Sequence, residues 1–194
     1  MAYDLGGGSG GNGGITGLSA GLKQLSFESL YLLNFDRSGE QSNFRVSFVG
    51  GGTFDIFLKR NFHLGINASF VAKRATLGDG QSTDAGALLT VGVGYSAPIG
   101  GGLFVRPGIA LGGFVGSRST DIGSGDADVN GLIYGGAVRA GLNLVFYSGR
   151  HFKVHACPEA IVQIGGHSRD DGGGSEFFVS VDSGFVVGIS YVFN

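Results

Sequence analysis

The last nineteen residues, EFFVSVDSGFVVGISYVFN (176–194), constrain this chain more than any other stretch. Bulky apolar side chains fall at every second position: Phe177, Val179, Val181, Phe185, Val187, Ile189, Tyr191 and Phe193. Ser180, Asp182, Gly184, Gly188 and Ser190 lie between them. A period of two is the signature of a strand with one apolar and one mixed face. The run is about twice the length of an ordinary strand. A long two-faced strand of this kind predicts a sheet whose apolar side faces lipid.

The same period recurs seven more times from Lys23 onward. The strands are expected at about 23–35, 43–58, 62–74, 85–97, 103–118, 131–147 and 152–167, before the closing one. Gly50–Gly52 interrupt the second strand without changing its parity, which predicts a bend or bulge. Pro107 and Pro158 fall inside expected strands, so each predicts a bulge or a strand boundary.

The connections after the second, fourth and sixth strands are short: 59–61, 98–102 and 148–151. The others are mostly longer and polar, such as 77–85 and 120–130. Short turns on one rim and longer loops on the other are the plan of an outer-membrane barrel. Charge sorts the same way. Ten of the 15 acids lie in or beside the long connections. The strand charges Glu28, Arg45, Asp55, Lys73, Arg106, Arg139, Lys153, Glu159 and Asp182 all sit on the parity opposite the apolar one. A cation on a lipid face costs roughly 2–4 kcal/mol at mid-bilayer.

Composition narrows the alternatives. Gly is 40 of 194 residues without a Gly-X-Y period and with only 3 Pro, which excludes collagen. A hydrophobic fraction of 42% argues against disorder. The formal net charge of −2 and the lack of a basic run argue against nucleic acid as a partner. One cysteine, Cys157, excludes an internal disulfide framework. No run approaches the roughly 18 apolar residues of a transmembrane helix, so a membrane span here is a barrel. Met1–Asp4 lack the basic start and apolar core of a signal peptide. The sequence is therefore read as a mature form with its signal peptide removed. Two regions are expected: a Gly-rich N-terminal segment, 1–22, flexible or docked into the lumen or onto a partner, and a barrel over 23–194.

With eight strands, alternating connections and the aromatic end at Tyr191 and Phe193, residues 23–194 resemble the eight-stranded outer-membrane β-barrel family of outer membrane protein A, outer membrane protein X and small porin-like barrels. Asn194 departs from the family, which usually ends on the aromatic itself. The resemblance implies an all-β fold: an eight-stranded antiparallel up-and-down transmembrane barrel with short periplasmic turns and longer extracellular loops. It implies a multi-pass protein of a Gram-negative cell envelope. The partners implied are outer-membrane lipids and lipopolysaccharide, the barrel assembly machinery, and a protein at the acidic loops or the N-terminal segment.

Side chains just fill the interior of a barrel this small. Glu28, Arg45, Arg106, Arg139, Glu159 and Asp182 are thus expected as a lumen charge network, since unpaired buried charge is costly. Phe185, Val187, Ile189, Tyr191 and Phe193 are expected to face lipid. The function expected is structural, adhesive or partner-scaffolding and non-enzymatic, with a narrow passive channel as the alternative. A lipid-modifying or proteolytic barrel enzyme is the third reading. His167 and Ser168 are adjacent, so a strand points them to opposite sides, against a deacylase pair. Asp170 and Asp171 beside His167 are the residues a protease would use. Asp126, Asp128 and Asn130 match half a calcium loop, but Ala137 stands where its closing Glu belongs. His155, Cys157 and Glu159 share one face, yet Arg139 and Lys153 are nearer in kind as partners for Glu159 than a metal. No cofactor motif and no metal site is therefore assigned.

Overall fold

The computed structural model describes residues 18–38, 41–77, 80–121, 129–148, 151–170 and 174–193. Its elements are β1 (Lys23–Ser38), β2 (Gln41–Lys59), β3 (Phe62–Leu77), β4 (Gly80–Tyr95), β5 (Ala97–Gly100), β6 (Leu103–Asp121), β7 (Val129–Ser148), β8 (Phe152–Arg169) and β9 (Ser175–Phe193). Consecutive strands pair antiparallel except β4 and β5, which both pair with β6, and β9 pairs back onto β1. The sheet therefore closes on itself, β1 meeting β9 over Lys23–Tyr31 and Phe185–Phe193. β4 and β5 are two pieces of one stave interrupted at Ser96, so the barrel has eight staves.

The register fixes the tilt. Pair by pair, Gln24 leads through Asp55, Gly65, Gly92, Ala110, Arg139 and Ile161 to Asp182 on β9. Gln24 itself pairs with Val192, ten residues beyond Asp182 (192 − 182). A stagger of ten residues around eight staves tilts the strands by about 40°, from a rise of roughly 3.3 Å and a strand spacing of roughly 4.8 Å.

The outward parity is apolar over a band of limited height. On β3 it runs Phe62, Leu64, Ile66, Ala68, Phe70, Ala72 and then turns polar at Arg74 and Thr76. At the tilt above, Phe62 to Ala72 spans about 25 Å, the thickness of the apolar belt of a membrane barrel. Large hydrophobics are exposed all round this belt, including Ile66, Leu89, Leu111, Leu144, Val154 and Ile189. Aromatics ring its short-turn edge: Phe62 pairs with Tyr95 and Phe152 with Tyr191, while Phe146 lies opposite Leu103. His151 stacks on Tyr191 at 5.5 Å, and Phe193 lies 6.2 Å from Tyr191 and 6.3 Å from Phe54.

Several local expectations change. Gly50–Gly52 pair without interruption to both β1 and β3, so there is no bulge there. The irregularity in β2 comes between Phe57 and Lys59, where the strand bends into its turn. Pro107 keeps its pairing with Leu142, and its missing N–H faces the break at Ser96. Pro158 sits in a gap of the β7–β8 ladder, since Gly141–Glu159 and Leu144–Ala156 are paired in the same register on either side. Each proline is thus accommodated without a bulge. The expected loop 77–85 is mostly strand, because β3 and β4 continue past the belt and leave only two residues between Leu77 and Gly80. Residues 122–128 of the expected loop 120–130, with Asp126 and Asp128 of the half calcium loop, lie outside the described residues, as do 1–17, Asp171 and Asn194.

Candidate functional site

The inward parity builds a lumen in four levels, beginning at the short-turn mouth. The first is apolar. Leu18 and Leu22, just ahead of β1, are buried against Phe57, Phe104, Val145, Tyr147 and Val192. Main-chain hydrogen bonds hold this segment down. The Leu18 N–H donates to Asn61 Oδ1 at 2.7 Å, the Asn61 N–H to the Leu18 carbonyl at 2.8 Å, and the Gly21 N–H to the Phe57 carbonyl at 2.8 Å. Asn61 adopts φ 63°, a left-handed conformation that Asn tolerates better than most residues. That conformation turns its side chain to cap Leu18.

The second level is polar and centred on Arg106. Its guanidinium donates to Ser96 Oγ at 3.0 Å and to Asp55 Oδ2, Gln24 Oε1 and Tyr147 Oη at 3.2 Å each. Gln24 Nε2 donates in turn to Asp55 Oδ2 at 2.8 Å and Ser26 Oγ at 2.9 Å. Slightly higher, Arg139 grips Glu159 with two hydrogen bonds of 2.9 and 3.0 Å. Its second neighbour is Glu28, at 3.6 Å, which also lies 3.4 Å from His155 Nε2. Lys153 is buried beside this group. A chamber of about 110 Å³ lies among Glu28, His63, Asn67, Thr90, Arg139 and Glu159.

The third level is apolar again: Val49, Val71, Leu88, Phe114, Ala137 and Ile161 close the lumen across the middle of the barrel. Above it, Lys73 Nζ donates to Asp182 and Gln163. Arg118 grips Asp84 with two bonds of 2.7 Å and lies 5.0 Å over the Phe178 ring.

The expected lumen residues therefore fall into three groups. Arg106 pairs with Asp55; Glu28, Arg139 and Glu159 form a cluster; Asp182 is held by Lys73 on the far side of the apolar level. The side chain of Arg45 lies outside the described residues. Phe185, Val187, Ile189 and Tyr191 are exposed on the outer face, and Phe193 is half-buried at its edge. His167 is buried inside the barrel while Ser168 lies on the alternate parity, so the two do not form a pair. Of the three residues weighed as metal ligands, Glu159 is occupied by Arg139, His155 points to Glu28, and the Cys157 thiol donates to the Pro158 carbonyl at 3.1 Å.

Two features went unread in the sequence. The Leu18–Leu22 seal sits directly behind a Gly-rich run, and its signal is only two leucines four apart. The mid-lumen level had a clearer signal: Val49, Leu88, Phe114 and Ile161 are large apolar residues on the polar parity.

A closed sheet with an apolar belt outside and paired charge inside defines this chain as a transmembrane β-barrel of the outer-membrane type. Solved structures share the fold. The N-terminal β-barrel domain of Pseudomonas aeruginosa OprF is 14% identical, with a TM-score of 0.50, 91% of this chain covered and 100% of that one. The outer membrane protein OprG of the same organism is also 14% identical at a TM-score of 0.50, over 92% and 99% of the two chains. No family model matches the chain, and no curated protein does.

Proposed function

We propose that this chain is a sealed, non-enzymatic outer-membrane barrel with a structural, adhesive or partner-scaffolding role. The observation that carries this reading is the double apolar closure of the lumen, by Leu18, Leu22 and their partners at one end and by Val49 to Ile161 across the middle. The chamber between the two closures measures about 110 Å³, room for a few waters. Ions would have to cross both apolar levels unsolvated, which opposes the narrow-channel alternative. The work then belongs to surfaces: the acidic connections on one side and the N-terminal segment on the other. The test is single-channel recording on the purified chain in planar bilayers. No reproducible conductance step is expected; discrete steps would reinstate the passive channel.

A further inference from the structure

The outer surface of the barrel is charged asymmetrically. In the half that carries the short turns, the described acids Glu28, Asp55 and Glu159 all point into the lumen. The bases Lys23, Lys59 and Arg60 are on the outside of that rim, Lys23 half-buried and Lys59 and Arg60 exposed, and no carboxylate among the described residues pairs with them. They adjoin the aromatic arc. Lys23 pairs in register with Phe193, whose ring neighbours Tyr191 and Phe54. Lys59 and Arg60 lead into Phe62 across a two-residue turn.

Aromatic rings of this kind sit at the level of lipid headgroups. Cations beside them therefore stand at phosphate depth, with long stems able to reach along the interface. We propose that the short-turn rim is a binding surface for anionic phospholipid headgroups, with Lys23, Lys59 and Arg60 engaging the phosphates and Tyr191, Phe193 and Phe54 holding the rim at the interface. The chemistry recognised is a phosphodiester carrying a net negative charge. In a barrel oriented with its short turns inward, that lipid belongs to the periplasmic leaflet.

The test uses the whole chain reconstituted in nanodiscs of phosphatidylcholine containing a minor fraction of phosphatidylglycerol, with the lipids that stay bound after extraction measured by native mass spectrometry. The wild type should retain phosphatidylglycerol above its bulk proportion, and added salt should weaken the excess. The combined Lys23→Gln, Lys59→Gln and Arg60→Gln variant should lose that excess by roughly two- to fivefold per charge removed. Arg74→Gln, which removes an exposed outward base beyond the opposite edge of the belt, should leave it unchanged. If the combined variant does not fold, Arg60→Gln alone, at an exposed turn, gives the same comparison. Retention at the bulk proportion overturns the proposal, as does an excess that survives the substitutions or falls equally with Arg74→Gln. A chain that never enters nanodiscs would instead refute the membrane barrel itself.

Discussion

Arg106 shows how this barrel tolerates buried charge. A guanidinium in a closed lumen survives only if its donors are met, and four oxygens from β1, β2, β7 and the Ser96 break meet them. The break itself is part of that arrangement. Ser96 leaves the ladder, donates its N–H to the Asn61 carbonyl at 2.7 Å, and turns its hydroxyl to Arg106. Asp55 carries the compensating charge at 3.2 Å. Asp55→Ala should accordingly destabilise the barrel by about 3–5 kcal/mol, because Arg106 remains buried without its counter-charge. Combining it with Arg106→Leu should recover part of that loss. Denaturant unfolding of the refolded barrel in detergent, followed by tryptophan-free probes such as circular dichroism, measures both. A double variant as unstable as the single one would show that the pair is not the reason Asp55 matters.

Glycine plays its part through close approach. A Cβ at Gly188 would meet the His155 ring and come within 2.8 Å of the Phe27 carbonyl, so the lumen at that level is filled by its neighbours' side chains.

At the scale of elements, the segment before β1 behaves as part of the barrel. Leu18 and Leu22 complete the first apolar level, and Asn61 clasps Leu18 with one main-chain and one side-chain bond. Leu22→Ala should cost about 2–5 kcal/mol, as for other large-to-small changes in a packed interior. Hydrogen exchange at the β2–β3 turn should accelerate in the variant, since the Asn61 and Phe57 amides lose their cover. Conductance should still be absent, because the Val49–Ile161 level stays closed. Exchange unchanged from wild type would mean that Leu22 does not hold the seal. The prolines illustrate a second rule for elements. Each is accommodated by leaving two consecutive positions of one ladder unpaired in unchanged register, which keeps the parity of the whole strand intact. A bulge would have inverted every side chain beyond it.

For the molecule as a whole, the decisive property is that parity holds round the closed sheet. Val187 is exposed on the lipid side, and Val186 beside it is buried in the lumen. Val187→Arg should therefore destabilise the lipid-embedded barrel by roughly 2–4 kcal/mol, the cost of a cation in the apolar belt. The penalty should vanish when the barrel is moved from bilayers to a detergent that lets the guanidinium reach water. Equal stability in the bilayer would place that face away from lipid. The same parity gives the barrel its sidedness, with the basic aromatic rim at the short turns and acids gathered toward the other end.

Much of this architecture was legible in the residues themselves. A period of two repeated eight times, with Glu28, Asp55, Arg106, Arg139, Lys153, Glu159 and Asp182 all on the parity opposite the apolar one, leaves a closed barrel as the arrangement that hides the apolar face in lipid and those charges from it. Strand ends and prolines were misread because period alone does not show where a ladder stops or which N–H it can spare. The lumen's partners needed the closed sheet. Gln24, Ser96, Arg106 and Tyr147 are far apart in the chain, and a stagger of ten residues sets which of them share a level. That stagger also lifts Asp182 away from Glu28 and stacks Val49, Leu88, Phe114 and Ile161 into one closing layer. Alternation along a strand determines which side a residue faces; its height in the lumen is a property of the register between strands, which only the assembled barrel possesses.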